Sequence, residues 1–135
     1  MKEIASIHDL ADIEDVYEQA FASFMLEQFP WISLLSQVLI QVKVGHVTRE
    51  TRPDFLLRNP TDQELYIEIC GGKMTSRKRR QHRTAIDAGV GERHITFLGR
   101  EVQVLVDAKP EVAQQTFTNL LYQRLNPALF QLCPS

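Results

Sequence analysis

The spacing of hydrophobic positions changes once in the first third of the chain. Apolar side chains recur every three or four positions between residues 10 and 29, which predicts one amphipathic helix. A capping pattern from Ser6 to Asp9 precedes this helix and Pro30 follows it, so we expect the helix to end before the proline. The positions that form the predicted stripe are Ile13, Tyr17, Phe21, Phe24 and Gln28.

The middle of the chain predicts consecutive strands. Residues 38–44 (VLIQVKV) are rich in β-branched side chains, and a Gly-His turn leads from them into a second extended segment at residues 48–57. The sequence Asn-Pro-Thr-Asp at residues 59–62 is typical of a turn. A third strand is predicted over residues 64–70, so we expect a three-stranded meander after the first helix.

The last part of the chain predicts helices around further strands. A helix over residues 75–88 ends at Gly89, residues 94–98 and 102–106 are two strand candidates, and a final helix spans residues 110–125. The predicted order is α-β-β-β-α-β-(β)-α. This order indicates an α/β (α+β) fold with a central mixed β-sheet flanked by helices. The side chains of the last helix that are predicted to face inward are Val112, Thr116, Phe117, Leu120 and Leu121.

Length and composition favour one globular domain over residues 1–135. Hydrophobic residues make up 44% and charged residues 24% of the chain, as in an ordinary globular protein. No apolar run approaches the ~18–20 residues of a membrane span, and the first residues lack the pattern of a secretory signal. The two cysteines, Cys70 and Cys133, cannot by themselves form a disulfide framework or a four-ligand zinc site. We expect a soluble, cytoplasmic protein with no membrane partner.

The net charge of −2 conceals a strong asymmetry along the chain. Residues 1–37 carry one base and seven acids, whereas residues 38–83 carry ten bases and five acids. Residues 73–83 (KMTSRKRRQHR) contain six bases and no acid. Such density predicts contact with a polyanion, and the alternative is a solvated helix face.

Two carboxylates are predicted to meet on neighbouring strands. Asp54 lies on the second strand of the expected meander and Glu68 lies on the third, and adjacent antiparallel strands bring such positions within reach of each other. Two carboxylates held together raise one pKa or recruit a cation. Mg²⁺ suits this arrangement because it needs only one or two protein carboxylates besides water and phosphate. Glu14 or Glu18 of the first helix offers a third carboxylate, and Glu18 lies nearer the middle of the apolar stripe.

Pro53-Asp54 and the sequence Ile-Glu-Ile-Cys-Gly-Gly at residues 67–72, in this order of elements, resemble the PD-(D/E)xK (restriction-endonuclease-like) nuclease superfamily. The closest resemblance is to the very-short-patch-repair-like endonucleases. It implies a Mg²⁺- or Mn²⁺-dependent DNA endonuclease in which Asp54 and Glu68 bind the metal and Glu18 assists. The basic residues that would hold the phosphate backbone are Arg77, Lys78, Arg79, Arg80 and Arg83.

The chain departs from the superfamily pattern at one position. A lysine usually lies two residues after the glutamate, and here that residue is Cys70, which cannot act as an ammonium does. Lys73 is the nearest candidate to replace it. The alternative is a catalytically inactive nuclease-fold module that binds nucleic acid or assembles with partners. Nothing in the sequence distinguishes RNA from DNA, and sequence specificity in so short a chain would require a homodimer, a partner or a larger nucleoprotein complex.

Overall fold

The computed structural model describes residues 1–71 and 76–133, without the side chains of residues 76–78. In the described chain the strands are β1 (Lys2–Ile4), β2 (Ser33–Ser36), β3 (Ile40–Val44), β4 (Val47–Thr51), β5 (Phe55–Arg58), β6 (Glu64–Cys70) and β7 (His94–Leu98). Five of them form a mixed sheet of order β1-β2-β5-β6-β7, in which β7 is parallel to β6 and the other neighbours are antiparallel. The strands β3 and β4 pair as a separate hairpin.

Helices cover both faces of the sheet. The described helices are α1 (Ile7–Leu10), α2 (Val16–Gln28), α3 (Ser76–Asp87), α4 (Gly99–Asp107) and α5 (Pro110–Arg124), and a 3-10 turn spans Gly91–Arg93. Phe21 of α2 stacks on Phe55 with ring centroids 5.4 Å apart, and it also contacts Phe97 and Phe117. This cluster is the core between the sheet and α2, α4 and α5. The fold is therefore α+β with a mixed sheet flanked by helices, as predicted.

Helix α3 covers the opposite face of the sheet. Side chains alternate along β7, so His94 points away from the face on which Phe97 joins the core. The Nδ1 atoms of His94 and His82, which belongs to α3, are 3.2 Å apart. By the same alternation and the β6–β7 register, Tyr66, Glu68 and Cys70 share the α3 face.

The predicted helix over residues 10–29 is wrong at its beginning. The structure has two helices there, α1 and α2, because Asp15 caps α2: its carboxylate accepts hydrogen bonds from the backbone N–H groups of Tyr17 and Glu18 at 2.9 Å each. The Ser6–Asp9 pattern does occur, but it caps the separate short helix α1.

The extended segment predicted over residues 48–57 is two strands that belong to different sheets. Pro53 lies between β4 and β5, and it cannot donate to a strand ladder. The meander of the central sheet is therefore β2-β5-β6, and the hairpin β3–β4 is inserted into it. Strand β2 was not predicted from the sequence. The turn at residues 59–62 is confirmed, with the Asn59 side chain accepting from the backbone N–H groups of Thr61 and Gln63.

The strand predicted over residues 102–106 is wrong, because these residues belong to α4. The Glu101 carboxylate accepts from the Leu98 backbone N–H at 2.9 Å and thereby caps the helix. Val102 and Leu105, three residues apart, pack against the core.

The remaining elements follow the predictions closely. Strand β7 has the predicted bounds, and the helix predicted over 75–88 is α3 over its described part, with Gly89 in the left-handed region at φ 82°. Helix α5 begins at Pro110 as predicted. Its predicted inward face is wrong in part, since Val112 and Thr116 are exposed and Leu120 is only partly buried. The buried residues of α5 are Ala113, Phe117 and Leu121.

Candidate active site

Asp54 immediately precedes β5, and Glu68 lies on the neighbouring strand β6. The last paired residues of β5 and β6 at this end are Phe55 and Ile67, so one further step along both chains brings Asp54 opposite Glu68. The Asp54 Oδ2 atom accepts a hydrogen bond of 2.7 Å from the Ile69 backbone N–H, which fixes this carboxylate against β6. Glu68 is only 3% exposed. It lies on β6, an interior strand of the sheet, so Glu68 is not a charge that protects a sheet edge.

Glu18 reaches this pair from the first turn of α2. The neighbouring Tyr17 ties that turn to the sheet: its ring would be 3.6 Å from a Cβ atom at Gly71, and its hydroxyl donates to Gln103 Oε1 at 2.8 Å. Glu14 is exposed. The structure therefore selects Glu18 as the acid of the first helix that adjoins Asp54.

The electrostatics of Glu18 show that the three acids form one cluster. The pKa of Glu18 is raised from 4.5 to about 7, first by burial and then by the negative charge of Asp54. Asp15, a hydrogen bond shared with Asp54, and the charge of Glu68 raise this pKa further. Because Glu18 responds to both Asp54 and Glu68, the acids that the sequence analysis placed on a helix and two strands are brought together by the fold.

The donor chemistry of this cluster fits a hard divalent cation. Carboxylate oxygens are the ligands that Mg²⁺ prefers, and Mg²⁺ keeps several waters of its own. A cation would also offset the crowding of negative charge that raises the pKa of Glu18. Among the described residues, no group of three or more His, Cys, Asp or Glu side chains is arranged as a metal site. Asp54 and Glu68, with Glu18 beside them, therefore suit a partly hydrated cation and do not form a complete set of protein ligands.

Cys70 is the residue for which the sequence resemblance would require a lysine. It is 3% exposed and shares the face of Glu68, two residues away on the same strand. Lys73, the predicted replacement for that lysine, lies outside the described residues.

The predicted basic helix exists, and part of it is described. Arg79, Arg80 and Arg83 are exposed on α3, whereas the side chains of Arg77 and Lys78 lie outside the described part. Arg80 and Arg83 line a cleft of about 720 Å³ between α3 and the hairpin β3–β4. The hairpin side of the cleft includes Arg49 and Arg52, which the sequence analysis did not single out. The only signal for them was the excess of bases over acids in residues 38–83.

Comparison of the chain with protein-family models, with curated proteins and with solved structures finds no match. Within residues 1–71 and 76–133, no helix is both long enough and apolar enough to cross a bilayer.

Proposed function

We propose that this protein is a Mg²⁺- or Mn²⁺-dependent DNA endonuclease of the PD-(D/E)xK type. The observation that carries the proposal is the convergence of Glu18, Asp54 and Glu68 from three separate elements. The order of elements also supports it. When the hairpin β3–β4 is treated as an insertion, the chain runs from helix α2 through three antiparallel strands, β2, β5 and β6. Helix α3 and the parallel strand β7 follow. This is the order expected of a restriction-endonuclease-like core.

Asp54 and Glu68 would hold the cation, and the Ile69 N–H fixes the orientation of the Asp54 carboxylate. When bound, the ion would supply a water of lowered pKa and stabilise the charge that develops on a phosphodiester. Glu18 has a pKa of about 7, so its carboxyl group can hold or release a proton near neutral pH. This property suits a residue that exchanges protons with nearby water.

A second candidate function is a nuclease-fold module that binds nucleic acid without cleaving it. The observation that favours it is the buried Cys70 at the position of the usual lysine. A thiol provides no ammonium to orient water or to offset the charge of the phosphate in the transition state. The two candidates share a fold and a binding surface, so cleavage itself must separate them.

Nicking of supercoiled plasmid DNA with Mg²⁺ or Mn²⁺ tests the endonuclease proposal. Asp54→Asn keeps the size of the side chain but removes its charge, and we expect nicking to fall to the level measured without enzyme. Asp62→Asn is the matched control, since Asp62 is an exposed acid in the turn between β5 and β6 and should leave nicking unchanged. Nicking that survives in Asp54→Asn would refute the assigned site.

Two further variants decide between the candidates. If Lys73 supplies the ammonium, Lys73→Ala should abolish nicking and leave DNA binding mostly intact, because its interaction strengthens in the transition state. Cys70→Lys should preserve or increase nicking. Cleavage found only in Cys70→Lys would identify a natural module that has kept the fold and lost the chemistry. No cleavage by either the wild type or Cys70→Lys would also favour the binding module.

A further inference from the structure

The cleft between the hairpin β3–β4 and α3 is strongly basic. Five charged residues line it: Arg49, Glu50 and Arg52 on the hairpin side, and Arg80 and Arg83 on α3. Four arginines and one glutamate give a net charge of +3. Its volume of about 720 Å³ falls within the range of roughly 300–1,000 Å³ of pockets that hold whole small-molecule ligands. The cleft is therefore large enough for a chain of phosphates and not only for one small anion.

Packing of the hairpin directs Arg49 toward this cleft. A two-stranded hairpin is marginal alone in water, and this one packs against α3. Arg49 pairs with Val42 across the hairpin, on the face that also carries the buried Ile40 and Thr51. Lys43 pairs with Thr48 on the other face. The hairpin therefore presents Arg49 to α3 and Lys43 to the opposite side.

Asp87 of α3 organises the arginines without fully neutralising them. It lies 3.6 Å from the Arg49 guanidinium and 3.8 Å from that of Arg83. Both distances exceed the ~2.7–2.9 Å of a charge-assisted hydrogen bond, and exposed ion pairs of this kind contribute little. The side chains of Arg49 and Arg83 are 52% and 74% exposed. Each guanidinium can therefore turn from Asp87 to a phosphate at small cost.

The cleft adjoins the acid cluster along the chain and on the same face of the sheet. Thr51 lines the cleft and lies three residues before Asp54, so their Cα atoms are at most ~11 Å apart. Glu68 lies on the sheet face that α3 covers. A phosphodiester backbone that enters the cleft would thus be led toward Asp54 and Glu68.

We propose that the hairpin β3–β4 and α3 form a two-sided clamp for the DNA backbone, in which Arg49 and Arg52 bind phosphates together with Arg80 and Arg83. This inference rests on the proposed function, because it makes the clamp the track that delivers DNA to Asp54 and Glu68. Bidentate arginine–phosphate contacts give affinity and register, but no preference for base sequence.

Fluorescence anisotropy with a short labelled DNA duplex tests the clamp in EDTA, where cleavage cannot contribute. For Arg49→Gln combined with Arg52→Gln, we expect weaker binding and a salt slope that is lower by about 1.8, from two lost contacts of about 0.9 each on duplex DNA. Lys43→Gln is the control for Arg49→Gln: it removes the same charge from the opposite face of the same hairpin and should have the smaller effect. Arg49→Lys keeps the charge and should retain most of the binding, which separates loss of charge from damage to the fold.

The outcomes distinguish this inference from the proposed function. Binding that depends on Arg49 in a protein that never nicks DNA would support the clamp and refute the endonuclease. Nicking with equal binding losses in Arg49→Gln and Lys43→Gln would refute the clamp alone. Undetectable DNA binding at low salt, or equally tight and Arg49-dependent binding of a heparin fragment, would also refute it, since the surface would then not select DNA.

Discussion

Glu18 imposes a pH-dependent cost on folding. In the unfolded chain its proton leaves near pH 4.5, whereas in the folded protein it leaves near pH 7. Between these values the folded state binds more protons than the unfolded state, so the contribution of Glu18 to the free energy of unfolding falls as the pH rises from 4.5 to 7. Well above pH 7 the cost is complete and constant.

Glu18→Gln should remove this cost. We expect the variant to be more stable than the wild type by about 1 kcal/mol at pH 8, a value reduced for the solvent that screens a half-buried carboxyl group, and to match it at pH 4. Urea unfolding in EDTA at both pH values measures the difference. Glu14→Gln, at an exposed position of the same segment, should change the stability little at either pH. An equal gain at pH 4 and pH 8 for Glu18→Gln would exclude a titration as its cause.

The positions of single residues could be predicted where strand geometry decides them. The prediction for Asp54 and Glu68 came from antiparallel strand geometry, which fixes which side chains face each other. The register of β5 and β6 ends at Phe55 and Ile67, one residue short of this pair. Two other features depend on tertiary packing and leave little trace in the sequence. The burial of Cys70 is one, and the convergence of Arg49 with Arg83 on Asp87 is the other.

Whole elements were predictable where their signals do not compete. Strand β6 lies between a turn and a glycine, and both of its ends were predicted correctly. Helix α5 begins at a proline, and its first residue was predicted correctly. The hydrophobic pattern of residues 102–106 (VQVLV) fits a strand and a helix equally well. The capping hydrogen bond that Glu101 accepts favours the helix. Pro53 divides an extended segment whose composition is strand-like throughout. The two halves join different sheets, and this assignment depends on the whole fold.

The start of α4 packs directly on the end of β6. A Cβ atom at Gly99 would lie 3.0 Å from the Gly71 carbonyl oxygen and 3.1 Å from the Gly71 Cα atom. Backbone atoms cannot rotate out of the way as a side chain does. Gly99→Ala should therefore destabilise the protein by roughly 1–3 kcal/mol, as measured by urea unfolding. Arg100→Ala, at the next and exposed position of α4, should stay within about 0.5 kcal/mol of the wild type. A Gly99→Ala variant as stable as the wild type would show that the two elements can separate freely.

The charge asymmetry of the chain becomes a spatial arrangement in the fold. The acid-rich first segment contributes Glu18 to the cluster around Asp54 and Glu68, and the base-rich segment forms the clamp beside it. A negative cluster next to a positive surface would repel a phosphate if it held no cation. A divalent ion reverses the local sign, so a backbone held by the clamp can approach Asp54 and Glu68 closely only when the metal is bound.

Metal binding should therefore stabilise the whole molecule and not only permit cleavage. A ligand that binds the folded state alone adds about 2.7 kcal/mol at 100 times its Kd, which in a chain of this size raises the Tm by several degrees. We expect Mn²⁺ to raise the Tm of the wild type and of Asp62→Asn, measured without DNA. Asp54→Asn should lose this response, because it removes one of the two carboxylates assigned to the ion. A wild type whose Tm does not respond to Mn²⁺ or Mg²⁺ would leave the acids without their proposed cation. A shift that persists in Asp54→Asn would place the ion elsewhere in the protein.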